Sequence, residues 1–411
     1  MRSDFSESAR RAGAALEGLA RISSGPGITR LYLTPEHRRA NGYVGHLMEQ
    51  AGLEARVDAV GNIRGRREGT EPDAAPILVG SHLDTVVNAG AFDGCLGVIA
   101  AVEAARVMKE EGVRLRHPLE VLGFGDEEGA RFGVTYLGSR GVASGWAPDL
   151  FERRDAAGVT VREALKAFGL DPSKTAEARI KRACAYFEFH IEQGLKLRGR
   201  GMPFGLFTGI ASAKRFTVRM EGRPGHAGTT PMDKRADALC AAAEFVLAAE
   251  RLARDFGNGA VATAGSVKLM PNVANCIPQC AELTLDIRAA TDDALEELAG
   301  QIFAEASARC AKRGVRLDRE CYYRSKGLAC SPRLMEILRG CASGFEAEPL
   351  EALSLAGHDA AAIGERFPVA MAFVRDAGFS HCPAEKVDPE DIGATVELIA
   401  RTIVAADREL S

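Results

Sequence analysis

Two different successions of strands and helices occur in this sequence, and they constrain its fold more than any other feature. In the first, short apolar segments at 76–81 and 118–124 flank an amphipathic helical pattern over 97–111, and a strand and a helix are predicted again at 368–374 and 389–407. Such alternation is typical of helices packed on a largely parallel sheet. The sequence therefore predicts an α/β domain with a mostly parallel mixed sheet.

The middle of the chain carries the second succession, in the order βαββαβ. Its members are strand 215–220, helix 232–254, strands 260–268 and 281–288, helix 292–312 and strand 315–321. This order is that of a ferredoxin-like unit, which can fold as a compact insert. Thr230 is the predicted N-cap of the first helix, with Pro231 at its first position.

At 411 residues the chain exceeds the length that one hydrophobic core usually serves. We therefore expect a discontinuous α/β catalytic domain of residues 1–210 and 328–411. An inserted α+β ferredoxin-like domain of residues 211–327 would serve as a lid or for dimerisation.

Composition restricts the class of function. The net charge of −4, with 46% hydrophobic and 26% charged residues, gives no electrostatic footprint for nucleic acid or an anionic membrane. No apolar run reaches the roughly 18 residues needed to span a bilayer, and the polar N-terminal segment lacks the apolar core of a secretory signal. Ten scattered cysteines fit reduced thiols better than a disulfide framework. We expect a cytoplasmic protein that acts on a small molecule.

Candidate ligands for a metal lie where predicted strands run out into loops, the usual place for a site in an α/β sheet. The segments are GSHLDTV around His82, FDG around Asp93, DEEG around Glu128, FHIEQG around His190 and FSHCPAE around His381. Imidazoles and carboxylates suit zinc or manganese. Each segment alone has a structural alternative, since an Asp before Gly is more often a turn and a lone histidine more often a structural residue. Their clustering favours a metal site.

The order and content of these motifs resemble the carboxypeptidase-like zinc amidohydrolase and peptidase family. Within it, the branch of N-carbamoyl-L-amino acid hydrolases, allantoate amidohydrolases and β-ureidopropionases is the most similar. The resemblance extends from GSHLDTV through GRPGHAGTTPM, PNVANCIP and AGHDA to FSHCPAE, nearly the whole chain.

The resemblance implies two divalent metal ions per subunit. His82 and His190 would be the outer ligands of one ion, Glu128 and His381 those of the other, and Asp93 the bridging carboxylate. A bridging carboxylate holds two cations about 3.5–4 Å apart, which lets them act on one carbonyl. Zinc is the expected metal, with manganese, cobalt and nickel as alternatives.

Three catalytic residues are implied in the same way. Glu127 would be the general base, although the acidic run around it could instead be a solvated surface. Asp84 would fix the tautomer of the His82 imidazole, or merely cap a turn. His226 would stabilise the oxyanion on the attacked carbonyl, reaching the site from the partner subunit of a homodimer.

Four residues are similar to positions that contact substrate in the family. Arg288 and Asn275 would bind a carboxylate, although Arg288 alone could form a surface salt bridge. Gln193 and His358 would line the pocket and contact a ureido group.

The expected reaction is hydrolysis of an N-carbamoyl-L-amino acid to the amino acid, ammonia and carbon dioxide. Allantoate is the close alternative, and the motifs do not separate it from this substrate. Leu355 and Lys196 depart from the common family pattern and could retune specificity. Peptide hydrolysis is a further reaction class. A non-catalytic binding protein is a fourth possibility, against which all five ligands and Glu127 are present.

Overall fold

A computed structural model describes residues 5–25, 27–71, 73–345 and 349–410. The chain forms two compact units. Unit 1 extends to Thr208 and also contains Cys330–Ala352 and the segment from His358 onward. Unit 2 contains Gly209–Ala329 and Leu353–Gly357.

Helices and strands alternate along much of the chain. The α-helices of the described residues are α1 (Phe5–Ala20), α2 (Pro35–Gln50), α3 (Cys95–Glu110), α4 (Leu137–Val142), α5 (Val161–Ala167), α6 (Lys196–Arg200), α7 (Ala238–Phe256), α8 (Asp292–Lys312), α9 (Pro332–Ala342), α10 (Ala360–Ile363) and α11 (Pro389–Glu409). The strands are β1 (Glu54–Val57), β2 (Ile63–Arg67), β3 (Ile77–His82), β4 (Leu119–Phe124), β5 (Ala185–Ile191), β6 (Phe204–Ile210), β7 (Ser212–Glu221), β8 (Gly225–His226), β9 (Val261–Met270), β10 (Cys276–Ile277), β11 (Cys280–Ala289), β12 (Arg316–Ser325), β13 (Leu328–Ala329), β14 (Leu350–Ser354) and β15 (Val369–Val374).

Unit 1 is built on a mixed sheet in which the strands follow the order β1-β2-β4-β3-β5-β15-β6. The four central strands, β4, β3, β5 and β15, are parallel. The strands on either side pair antiparallel, so parallel pairing is confined to the centre of the sheet. Every residue of the central strands is buried, which explains why these strands are largely apolar. Parallel strands place their carboxyl ends at one edge, where a site is expected.

Unit 2 has a four-stranded antiparallel sheet in the order β12-β7-β11-β9. Helices α7 and α8 pack on this sheet, and Phe216, Phe245, Leu285, Ile302 and Phe303 are among the residues of the shared core. The chain order β7-α7-β9-β11-α8-β12 is the βαββαβ succession predicted from the sequence.

The predicted start of the first helix in unit 2 is wrong. Only a single 3-10 turn, Met232–Lys234, follows Pro231, and α7 begins at Ala238. Its N-cap is Asp237, whose carboxylate accepts the N–H groups of Leu239 at 2.9 Å and Cys240 at 3.1 Å. Thr230 is engaged elsewhere, since its N–H donates to the carbonyl of His226 at 3.1 Å.

No helix within the described ranges combines the length and apolar character needed to cross a membrane.

Candidate metal centre

Five of the predicted site residues meet at the carboxyl edge of the parallel strands in unit 1. His82 is the last residue of β3, and His190 is the penultimate residue of β5. Asp93 lies just before α3, Glu128 follows β4, and His381 lies in the loop after β15. The strands therefore bring together residues that are far apart in the sequence.

These residues form two groups whose ligand atoms lie within 4.8 Å of one another, His82 with Asp93 and His190, and Asp93 with Glu128 and His381. Asp93 belongs to both. Its Oδ1 lies 3.0 Å from His190 Nε2 and 3.6 Å from His82 Nε2. Its Oδ2 lies 3.2 Å from His381 Nε2, which also lies 3.2 Å from Glu128 Oε1. The two oxygens of one carboxylate thus face different groups.

The protonation pattern of the first group fits a cation. His82 Nδ1 lies 3.0 Å from the carbonyl oxygen of Asp84, and His190 Nδ1 lies 3.0 Å from that of Ile191. A carbonyl oxygen can only accept, so each imidazole carries a proton on Nδ1, and in its neutral form the Nε2 lone pair is directed inward. The two Nε2 atoms are only 3.3 Å apart, an arrangement that a shared cation stabilises. Asp93 Oδ1, which faces both, has no hydrogen-bond donor among the described residues.

The second group is similarly suited to positive charge. Hydrogen bonds to Asp93 and Glu128 raise the pKa of His381 to about 10. The same carboxylates that stabilise a proton there would stabilise a divalent ion. The donor set of imidazoles and carboxylates is compatible with zinc or manganese.

Glu127 lies beside this centre but belongs to neither group. Burial raises the pKa of the Glu127 carboxyl well above its ordinary value. The turn that carries it is held by Asp84, whose Oδ1 accepts the N–H of Glu127 at 3.0 Å and whose Oδ2 accepts that of Glu128 at 3.3 Å. Asp84 Oδ1 is 3.6 Å from His82 Nδ1, farther than the Asp84 carbonyl oxygen.

Gln193 and His358 also lie at this centre. Gln193, in a left-handed backbone conformation with φ of 57°, donates from Nε2 to Asp93 Oδ2 at 3.1 Å. The ring of His358 is buried, 4.6 Å from that of His190, and burial lowers the pKa of His358 well below its ordinary value.

Two further residues, to which the sequence assigned no function, contact Asp93. Ser380 Oγ donates to Asp93 Oδ2 at 2.7 Å. Glu385 Oε1 accepts the N–H groups of Phe92 at 2.5 Å and Asp93 at 3.0 Å. Both flank His381 in the FSHCPAE segment, and that proximity was the available signal.

The remaining predicted residues lie in unit 2. His226 Nδ1 accepts the backbone N–H groups of Gly228 at 3.2 Å and Thr229 at 3.3 Å, so its Nε2 carries the proton. The carbonyl of Asn275 accepts the N–H of Ala227 at 2.9 Å, and strand pairing sets Cys276 opposite His226. His226 therefore lies in this pair of short strands, and Asn275 immediately precedes the second of them.

Arg288 lies near the end of β11. Its Nε and Nη2 donate to the Asp286 carboxylate at 3.0 Å and 3.1 Å, and Nη1 donates to the carbonyl of Leu355. Asp286 is also bound by Arg215 at 2.8 Å. The Arg288 guanidinium is thus held in one orientation within unit 2.

Comparison with known proteins decides the family. The sequence profile of peptidase family M20/M25/M40 matches residues 78–405. The chain belongs to this family. It is 40% identical to the N-carbamoyl-L-amino acid amidohydrolase of Geobacillus stearothermophilus, over 92% of this chain and 93% of that protein. The allantoate amidohydrolase of Bacillus subtilis is 35% identical, over 93% of this chain and 91% of that protein.

Solved structures agree with the sequence comparison. An amidase of the hydantoinase/carbamoylase family from Burkholderia multivorans superimposes with a TM-score of 0.92 at 30% identity, covering 98% of both chains. The resemblance inferred from the motifs is confirmed, and this M20 family member is an amidohydrolase, an enzyme that hydrolyses C–N bonds.

Proposed function

We propose that this amidohydrolase cleaves the ureido C–N bond of an N-carbamoyl-L-amino acid, giving the amino acid, ammonia and carbon dioxide. The observation that carries the proposal is the position of Asp93, whose two oxygens face two separate ligand groups with Glu127 beside them. Relatives at 36–40% identity are named N-carbamoyl-L-amino acid amidohydrolases, which supports this substrate class.

His82 and His190 would hold one ion, Glu128 and His381 the other, and Asp93 would bridge them. Two divalent ions at such a site polarise the scissile carbonyl and activate the attacking water. Zinc is the expected metal, and manganese, cobalt or nickel could replace it. The proton positions on His82 and His190 support this assignment, because each Nε2 presents a lone pair to the centre.

Glu127 would take a proton from the attacking water and deliver it to the departing nitrogen. The hydrogen bonds from the backbone of Glu127 and Glu128 to Asp84 keep the base and the adjacent ligand in one fixed turn. Asp84 would in addition orient His82, chiefly through its carbonyl oxygen at 3.0 Å.

The substrate would be held by groups from both units. Arg288 and Asn275 would bind its carboxylate, and Gln193 and His358 its ureido group. His226 would donate from Nε2 to the oxyanion that develops on the carbonyl, and the two backbone N–H groups at its Nδ1 favour the tautomer that this requires. Unit 2 would then act as a lid over the centre.

Unit 2 would also be the dimerisation domain. The strand β9 stands at the edge of its sheet and exposes Val261 and Val267, while α7 exposes Leu239 and Leu247. An edge strand and apolar side chains left in water favour pairing with a second chain. We propose a cytoplasmic homodimer, and the ten free cysteines are consistent with a reducing compartment.

Allantoate is the second candidate, because relatives at 34–36% identity are named allantoate deiminases or amidohydrolases. The test is a panel of N-carbamoyl-L-amino acids, allantoate, β-ureidopropionate and dipeptides, assayed with metal-reconstituted enzyme. We expect the highest kcat/KM for an N-carbamoyl-L-amino acid, and loss of turnover on chelation that added divalent metal reverses. Preferential turnover of allantoate would make allantoate the substrate in place of an N-carbamoyl-L-amino acid. Full activity in verified metal-free enzyme would contradict the metallohydrolase proposal.

A further inference from the structure

Two residues on either side of His381 are hydrogen-bonded to the segment that carries Asp93. Ser380 Oγ donates to the Asp93 carboxylate at 2.7 Å, and the Glu385 carboxylate accepts the N–H groups of Phe92 and Asp93. Neither Ser380 nor Glu385 belongs to a ligand group. The loop that supplies one ligand of the second group is therefore joined, at two points, to the residue shared by both groups.

The bond from Ser380 acts on the orientation of the Asp93 carboxylate. Rotation of a carboxylate about its last side-chain bond is only weakly restricted, so its hydrogen bonds decide where each oxygen lies. Asp93 Oδ2 accepts Ser380 Oγ at 2.7 Å and Gln193 Nε2 at the longer distance of 3.1 Å. A hydroxyl bonded to a carboxylate at this distance is among the stronger hydrogen bonds in proteins. Ser380 thus favours the orientation in which Oδ1 faces His82 and His190.

Glu385 acts on the backbone of Asp93. Its side chain is buried, with 7% exposure, and lies against Gly90, where an added Cβ would stand only 2.3 Å from the Cβ of Glu385. The absence of a side chain at Gly90 is what admits Glu385 to the two N–H groups. The hydrogen bonds of Glu385 therefore depend on glycine at position 90 as well as on Glu385 itself.

The backbone of the His381 loop needs such support. His381 has φ of 61°, a left-handed conformation that residues with a Cβ adopt only when their surroundings hold them there. The N–H of Ala377 donates to the carbonyl of Lys386 at 2.9 Å and closes the base of the loop. Ser380 and Glu385 then tie the closed loop to Asp93.

We propose that Ser380 and Glu385 are positioning residues that hold His381 and Asp93 in a fixed arrangement relative to each other, so that the ion held by Asp93, Glu128 and His381 is retained. The inference rests on the proposed two-ion function. It predicts that loss of the Ser380 hydroxyl weakens one ion more than the other, because the first ion keeps His82 and His190, to which neither positioning residue is hydrogen-bonded, and shares only Asp93.

The test measures metal binding rather than turnover. Wild type and Ser380→Ala are dialysed against buffered Mn²⁺ concentrations, and bound metal per chain is determined by elemental analysis. The dissociation constant of one of the two ions should rise about 10- to 100-fold in Ser380→Ala, the usual effect of removing a group that orients a ligand, while that of the other ion should change less. Ser380→Thr, which keeps a hydroxyl, should bind as the wild type does.

Ser343→Ala is the matched control, since the exposed Ser343 hydroxyl donates to the carbonyl of Gly340 at 2.8 Å, within its own helix end and outside both ligand groups. Gly90→Ala provides an independent variant, in which crowding of Glu385 should also weaken one ion. Thermal unfolding of each metal-free variant verifies that it is folded.

Wild-type affinity for both ions in Ser380→Ala would overturn the inference, as would equal weakening of both. A wild-type chain that binds fewer than two ions would overturn the two-ion function itself, before any variant is compared.

Discussion

The carboxylate of Asp84 accepts the backbone N–H of Glu127 at 3.0 Å. Its second oxygen accepts the N–H of Glu128 at 3.3 Å, and its main-chain carbonyl lies 3.0 Å from His82 Nδ1. One residue is therefore joined to an imidazole of the first ligand group, to a carboxylate residue of the second and to the proposed base between them. This relationship explains how a base can stand beside the metal centre without being a ligand.

The first prediction concerns Glu127. Replacing it by glutamine keeps the shape and the backbone bonds to Asp84 but removes the proton acceptor, so the turnover number should fall by about 10² or more. Metal content should not change, because Glu127 belongs to neither ligand group. Steady-state kinetics and elemental analysis measure the two quantities. Glu49→Gln, at an exposed position in α2, is the control. Near-normal turnover would remove Glu127 from the mechanism.

The sequence predicted the buried central strands of unit 1 and missed the outer strand β2, for a physical reason. β3, β4, β5 and β15 are buried throughout and are therefore largely apolar, with Glu120 and Glu188 as buried charged exceptions. β2 reads IRGRR and looks like a surface loop, yet Arg64 within it is buried. Its guanidinium binds Glu120 in the adjacent strand at 2.6 Å, a pairing that sequence patterns do not reveal.

The start of α7 was mispredicted because the cap is Asp237, seven residues after the predicted cap Thr230. The difference comes from hydrogen bonds within the intervening loop. Arg235 donates from Nε to the carbonyl of Thr230 at 3.0 Å and from Nη2 to that of Ala227 at 2.7 Å. These bonds hold the segment in a non-helical turn.

The candidate ligands could be found from the sequence because each lies at the end of a strand or in the loop that follows one. Ser380 and Glu385 were missed because their function depends on contacts with Asp93, over 287 and 292 sequence positions. Such separations leave no local pattern.

The second prediction concerns stability against pH. Burial, together with the nearby charge of Arg30, lowers the pKa of His37 from 6.5 to about 3. Below pH 6.5 the unfolded chain therefore binds a proton that the folded chain does not, and stability falls as pH falls until the folded pKa is reached. Between pH 7 and pH 5 this group should cost about 2 kcal/mol of unfolding free energy.

His37→Asn tests this, because the amide oxygen can accept the N–H of Leu33 in place of Nδ1, which does so at 3.1 Å, without titrating. The free energy of unfolding, measured with denaturant at several pH values, should fall less between pH 7 and pH 5 in His37→Asn than in the wild type. His46→Asn, at an exposed position, should leave the wild-type slope unchanged. Parallel curves for His37→Asn and wild type would contradict the prediction.

The third prediction concerns Arg288. Lysine keeps the charge but cannot reproduce the side-on pair of hydrogen bonds with Asp286, so its ammonium would not be held in a fixed orientation. For a substrate bound through its carboxylate, KM should rise by about 10- to 100-fold with a smaller change in kcat, the scale of one lost bond to a charged group. Arg219→Lys, on an exposed ion pair of the same unit, is the control.

Substrate analogues with an amide in place of the carboxylate distinguish binding from structural damage. The wild type should hydrolyse these analogues poorly, and Arg288→Lys should change their kcat/KM little. If the wild type hydrolyses them as well as the parent compounds, Arg288 does not bind the substrate carboxylate.

The last prediction concerns His226. Its Nδ1 accepts two backbone N–H groups, which leaves Nε2–H as a donor. If this donor stabilises the oxyanion, His226→Ala should lower the turnover number by about 10² to 10³ and leave metal content and thermal stability unchanged. Steady-state kinetics on the metal-loaded variant measures the loss.

Mixing two inactive variants shows which subunit His226 serves. His226→Ala and Glu127→Gln chains are combined under conditions that exchange subunits, with each variant subjected to the same treatment alone as the control. If His226 completes the site of the partner, each heterodimer contains one site with both residues intact and one with neither. The mixture should then recover a substantial part of the wild-type activity, in proportion to the heterodimer formed. If His226 serves the metal ions of its own chain, every site lacks one residue and exchange restores nothing. That outcome would contradict the cross-subunit arrangement, while the ligand assignments, which involve unit 1 alone, would stand.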